Sequence, residues 1–176
     1  MIGRILASAM LSLIITHIAS AADARGSKGT AHSEPTYKEP RPFNKKAKAW
    51  DDVDAAFARA RRNGKRVILA MGANWCHDSR SLGAKFETPA FQSLIADSYE
   101  LVYVDVGHKS RNIDIAQAYG IDEIVGTPTV LILSSDGDLL NGSTAPTWRN
   151  AASRTVDDAL VYFQAYAGGD VLDAAP

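Results

Sequence analysis

The sequence predicts an α/β domain in which a central mixed sheet is flanked by helices. Apolar runs at residues 65–71, 100–106 and 129–133 are each too short for a helix and read as buried strands. Between and around them lie segments with apolar residues at helical spacing. The resulting order is helix, strand, helix, strand, helix, strand, strand, helix, the pattern of a covered mixed sheet. No internal repeat and no second core interrupt it, and 176 residues suit one domain. A formal net charge of -1 leaves no electrostatic footprint for a nucleic acid.

The first helix opens at Trp50 with Asp51 and Asp52 in its first turn, where the helix dipole favours anions. Val53, Phe57 and Ala60 share one face, and Asn63-Gly64 stops it. The first strand follows at 65–71. A second helix runs to about Phe86. Thr88-Pro89 then supplies a cap and a proline at the first helical position for a third short helix, to about Asp97. The second strand is 100–106. A helix over 110–119, with Ile113, Ala116 and Gln117 at helical spacing, ends at Gly120. The third strand, 129–133, leads into an Asp136-Gly137 turn, and Leu139-Leu140 begins a short antiparallel partner. Residues 155–167 close the domain as an amphipathic helix ended by Gly168-Gly169.

Residues 1–21 read as a signal peptide: Arg4, an almost wholly apolar stretch, then Ala19-Ser20-Ala21 as the cleavage pattern. An uncleaved anchor would need about 20 apolar residues; His17 and the small residues favour cleavage after Ala21. The expectation is an exported chain, periplasmic or secreted, with no stable membrane span after cleavage. Residues 22–48 contain no Leu, Ile or Val and read as a flexible spacer. The domain is expected at 49–170, with a short tail at 171–176.

Cys76 is the only cysteine, so no internal disulfide can form. It stands where a strand ends and a helix begins, among unpaired backbone N–H groups, a setting that favours the reactive thiolate. A lone cysteine is often just a small buried hydrophobe; its polar neighbours argue instead for an accessible thiol. In an exported chain a leftover cysteine suggests intermolecular pairing or a free reactive thiol.

Trp75-Cys76-His77-Asp78-Ser79 resembles the thioredoxin active segment Trp-Cys-x-x-Cys, with Ser79 in place of the second cysteine. Gly126-Thr127-Pro128-Thr129 resembles the cis-proline loop of that superfamily, ahead of a strand and an Asp-Gly turn. Val104-Asp105-Val106 and Tyr119-Gly120-Ile121 fit the same pattern. The resemblance covers about residues 50–168 and implies a thioredoxin-like fold. It further implies that Pro128 is cis beside Cys76, that the Thr127 backbone pairs with a bound polypeptide, and that Trp75 shapes the substrate surface. The buried carboxylate of thioredoxins would fall near Ala70 and is missing.

Ser79 cannot resolve a mixed disulfide, but it could hydrogen-bond the Cys76 thiolate; otherwise it is an exposed residue of the first helical turn. His77, if protonated, would raise the reactivity of the site; otherwise it is a surface histidine. Asp78 is explained by its place at a helix start. A Cys76–His108 dyad lacks an orienting group, and Cys76, His77 and His108 lack the spacing of a metal site. No metal or cofactor is implied.

Two functions follow as expectations. In the first, Cys76 forms mixed disulfides with polypeptide substrates, in isomerase or capture chemistry, and a low-molecular-weight thiol or partner dithiol releases them. In the second, the fold is kept as a redox-inactive peptide-binding or chaperone-like module. The expected state is a monomer.

Overall fold

The computed structural model describes residues 39–168; the expected signal peptide, most of the spacer and the tail lie outside the described residues. The sheet has three strands, β1 (Arg66–Gly72), β2 (Tyr99–Asp105) and β3 (Thr129–Leu133), in the order β2-β1-β3. β1 runs parallel to β2, with Ala70 opposite Tyr103, and antiparallel to β3, with Ala70 opposite Val130. β1 is buried on both faces, which is why its sequence is a continuous apolar run.

Because side chains alternate along a strand, β1 divides between two cores. Val67, Leu69 and Met71 meet Val53, Ala56, Phe57 and Ala60 of α1 (Ala49–Asn63). Ile68 and Ala70 face the opposite layer, where α2 (His77–Phe86) contributes Leu82 and Phe86. Phe91 of α3 (Pro89–Ser98) joins them there. Gly64 ends α1 at φ 71°, and its N–H bonds to the Ala60 carbonyl, a glycine-dependent helix stop. α5 (Val156–Ala165) is capped by Thr155, whose hydroxyl accepts from the Asp158 N–H, and it delivers Phe163 to the second core.

Four expectations are corrected. The helix expected over 110–119 is only α4 (Ile113–Ala118), because Lys109 and Asn112 adopt positive φ and Ser110 and Arg111 bond to the Val106 carbonyl in a turn. The fourth strand shrinks to one bridge, Leu133 to Leu139. There the carboxamide of buried Asn141 takes over the edge of β3, accepting from Ile132 N–H and donating to the Val130 carbonyl. A 3-10 stretch, Ala145–Ser153, was not anticipated; it buries Trp148 completely, beside Phe163.

The fourth correction concerns the spacer. Its last ten residues, 39–48, belong to the packed domain. Phe43 is 1% exposed and sits edge-on to Tyr103, with ring centroids 5.4 Å apart. One aromatic side chain anchors a segment whose other residues are polar, proline or alanine.

Candidate functional site

β1 ends at Gly72, and the chain crosses to α2 through Ala73, Asn74, Trp75 and Cys76. Cys76 is the N-cap residue of α2, with extended backbone (φ -80°, ψ 125°). Its N–H bonds to the Ala73 carbonyl and its carbonyl accepts from Arg80 N–H, so a tight turn runs directly into the helix. The side chain is only 9% exposed, a correction to the accessible thiol expected from its polar neighbours. His77 is turned outward, while the Cys76 sulfur points inward to the Thr127 carbonyl.

The inward partner is the loop before β3. The Thr127–Pro128 peptide is cis, and Cys76 Sγ donates a hydrogen bond to the Thr127 carbonyl at 3.2 Å. Thr127 is itself 8% exposed, and Pro128 is buried. The structure therefore brings together Cys76, Thr127 and Pro128, which are 51 residues apart between sulfur and carbonyl.

Trp75 is held otherwise. It is 53% exposed, its indole N–H donates to the Gly107 carbonyl at 2.9 Å, and its ring stacks on His108 at 4.9 Å. His108 is thus engaged with the indole face, and Cys76 bonds instead to the Thr127 carbonyl, in keeping with setting the Cys76–His108 dyad aside. The Trp75–His108 stack forms an exposed aromatic shelf one residue from the thiol.

Ser79 is placed differently from both of its expected positions. Ser79 is fully buried rather than exposed, and its Oγ accepts from Ala73 N–H at 3.3 Å instead of bonding to the Cys76 sulfur. The helical offset of three residues turns Ser79 under the loop. There its hydroxyl holds the backbone that the thiol sits on. The His77 imidazole is turned outward to Glu39, 3.3 Å from the carboxylate. Asp78 does more than complement the helix dipole: its Oδ1 accepts from Ala152 N–H at 2.9 Å, tying the start of α2 to the 3-10 stretch.

Ala70, where a buried carboxylate would stand, is fully enclosed among apolar side chains. The nearby acid is Asp105 at the end of β2, and it is committed to the Arg111 guanidinium and the Gly107 N–H. Among the described residues no group of three His, Cys, Asp or Glu side chains could hold a metal ion.

Residues that sequence reasoning missed surround the loop on its other side. Asn74 and the backbone of Phe43 exchange two hydrogen bonds, and Glu39 accepts from the Arg80 guanidinium at 2.9 Å. Gly72 has no room for a side chain: a Cβ there would lie 2.6 Å from both Phe43 Cζ and Ser79 Oγ. The sequence signal was slight, a glycine closing an otherwise apolar strand and one aromatic residue beside two prolines.

A family model described as thioredoxin-like matches residues 48–135. A crystal structure of a disulphide isomerase from Xylella fastidiosa Temecula1 is 32% identical, covers 73% of this chain and 98% of its own, and superposes with a TM-score of 0.69. A protein of unknown function from Pseudomonas aeruginosa is 17% identical over 69% of this chain and 87% of its own. Its TM-score of 0.35 carries no argument. No match was found among curated proteins. The chain belongs to the thioredoxin-like family and has its fold.

Proposed function

We propose that this member of the thioredoxin-like family is an exported thiol–disulfide exchange protein that works through Cys76 alone. The observation that carries the reading is the placement of the one sulfur at the N-cap of α2, hydrogen-bonded to the carbonyl before cis Pro128. The likeness to a protein described as a disulphide isomerase supports it. So does the leader-like segment at residues 1–21. Among the described residues no helix is long and apolar enough to cross a membrane.

In the proposed cycle the docking client takes the Thr127 carbonyl from the Cys76 S–H, and Cys76 loses its proton to water. The thiolate attacks one sulfur of a client disulfide; a Cys76–client S–S bond forms, the client S–S bond breaks, and the departing client thiolate takes up a proton. A thiolate from a different cysteine of the client then attacks the client sulfur of the mixed disulfide; a new client S–S bond forms, the Cys76–client bond breaks, and the departing Cys76 thiolate takes up a proton. The net result is rearrangement without electron transfer. If an external thiol attacks instead, the client leaves with one added thiol and Cys76 is joined to the external molecule. A second external thiol then frees Cys76, and the two external thiols end as a disulfide. Ser79, buried and bonded to Ala73, has no part as a resolving group.

The Thr127 carbonyl gives the cycle its coupling. In the resting protein it accepts the Cys76 S–H. In the proposed complex it accepts a backbone N–H of the client, so client docking releases the sulfur for attack. The exposed Trp75–His108 shelf would lie under the chain flanking the client cysteine.

The test is refolding of a disulfide-scrambled protein in a low-molecular-weight thiol buffer, with the wild type and Cys76→Ser compared. The wild type is expected to accelerate recovery and to give a mixed disulfide, seen as a mass shift that reductant removes; Cys76→Ser is expected to do neither. Equal behaviour of the two proteins would overturn the proposal, and client binding that persists in Cys76→Ser without exchange would leave a peptide-binding module. Cleavage after Ala21 is checked by the mass of the protein recovered from the cell envelope or medium.

A further inference from the structure

The loop that carries the sulfur has no covalent brace, since Ser79 stands where a second cysteine could cross-link it. It is braced from outside. Residues 39–43 run across the start of α2 and the Gly72–Cys76 turn. Three layers of contact hold them there.

The first is packing. The Phe43 ring fills the space left by the missing side chain of Gly72. Pro40 and Pro42 lie over Gly83 of α2, where a Cβ would meet their Cγ atoms at 3.2 and 3.3 Å. The second is a reciprocal amide pair. Phe43 N–H donates to Asn74 Oδ1 at 3.1 Å, and Asn74 Nδ2 donates to the Phe43 carbonyl at 2.7 Å. The third is charge. Glu39 bridges Arg80 and His77, and the Asn74 carbonyl accepts guanidinium N–H groups from Arg80 at 3.1 Å and Arg41 at 3.2 Å.

Asn74 is the point where all of this converges. Its side chain and its carbonyl are both occupied by the strap or by the helix residue the strap holds. Two residues later the chain presents Cys76. A side chain used as a two-way backbone clamp stops the turn from rotating, and rotation of that turn would move the sulfur relative to Thr127.

We infer that Asn74 is a positioning residue for Cys76, acting by clamping the active-site turn to the strap at residues 39–43. The inference rests on the reading of Cys76 as an exchanging thiol. It assigns to noncovalent contacts with an N-terminal segment the rigidity that a cross-linked loop would have by itself.

The experiment uses the full chain and two variants, Asn74→Ala and Glu39→Gln, the second kept because it removes the Glu39 charge shared by Arg80 and His77 while leaving the Asn74 amide pair in place. Two rate constants are measured, one for Cys76 with a disulfide-bonded polypeptide and one for Cys76 with a small symmetrical disulfide. Polypeptide exchange demands alignment of sulfur, Thr127 and client backbone, so Asn74→Ala is expected to slow it about tenfold or more relative to the small disulfide. Glu39→Gln is expected to shift the same ratio in the same direction by a smaller factor. A merely structural role would lower the melting temperature and leave the ratio unmoved. That result in both variants overturns the inference.

Amide hydrogen exchange gives a readout without chemistry. Residues 73–80 are expected to exchange faster in Asn74→Ala while the centre of β1 keeps its protection. If the wild type exchanges with no disulfide, the functional reading fails. The strap is then judged on hydrogen exchange alone, where unchanged rates at 73–80 overturn it. If the wild type exchanges normally and neither variant differs in ratio or protection, only the strap inference falls.

Discussion

Replacing Gly72 by Ala probes the contact on which the strap and the buried Ser79 both depend. Gly72 closes the central strand, pairs with Asp105 in register, and accepts from Val106 N–H at 2.9 Å, so its backbone cannot retreat. An added Cβ would lie 2.6 Å from Phe43 Cζ, 2.8 Å from Phe43 Cε1 and 2.6 Å from Ser79 Oγ. Phe43 is wedged against Tyr103, and Ser79 is fixed by the first turn of α2. Overpacking of this kind costs about 1–3 kcal/mol. The lost flexibility of glycine in the unfolded chain returns about 0.4–1 kcal/mol. The net expectation is a destabilisation of about 1–2 kcal/mol, or a fall of roughly 4–8 °C in melting temperature for a domain of this size. Differential scanning calorimetry of the full chain measures it. Phe43→Leu removes the ring atoms in the clash, so the double variant should be more stable than the sum of the two single effects by about 1 kcal/mol. A Gly72→Ala protein that melts at or above the wild-type temperature would refute the argument and with it the seating of Phe43.

Two further variants test the remainder of the fold. Asn141→Ala breaks two buried hydrogen bonds, to Ile132 N–H and the Val130 carbonyl, and a part-buried one to the Tyr162 hydroxyl. It should cost about 2–4 kcal/mol in urea denaturation, and a loss under about 1 kcal/mol would mean the β3 edge is satisfied some other way. Burial pushes the Glu100 carboxyl up, but hydrogen bonds from Arg59 and Asn63 and the charges of Arg59 and Lys65 outweigh it, leaving Glu100 below its ordinary range. Its contribution is therefore complete above the unfolded value of about 4.3 and is lost as pH falls through the folded value. Glu100→Gln should cost no more than about 1 kcal/mol at neutral pH and should flatten the decline of stability below about pH 4. An acid limb as steep as that of the wild type would count against the Arg59–Glu100 pair.

Elements whose causes are local were legible in the sequence. The continuous apolar run of β1 had to be a strand buried on both faces, Thr88-Pro89 had to start a helix, and Gly64 had to stop one. The same locality placed Cys76 between a strand and a helix, while the resemblance of two short motifs to the thioredoxin active segment and cis-proline loop implied Thr127 and Pro128 as its neighbours. Local reading failed where one side chain competes with a strand for the ladder. The residues after Leu139 looked like a strand, but beyond the Leu140 N–H bond to the Ile132 carbonyl the Asn141 carboxamide takes over the β3 edge.

The sequence by itself determined the fold class, the three strands of the sheet and the position of the one thiol, because periodicity, caps and turns act over a few residues. Only the tertiary structure decided how that thiol is held. Ser79 turned out to be a buried prop for Ala73 rather than a partner for the sulfur. Phe43, alone among polar and proline neighbours, proved to be an anchor, because the slot that receives it is built by Gly72, Tyr103 and Asn74, about thirty or more residues away. A hydrophobic pattern reports that a side chain wants burial. It does not report whether a slot of the right shape exists, since that depends on packing among residues the local sequence never touches.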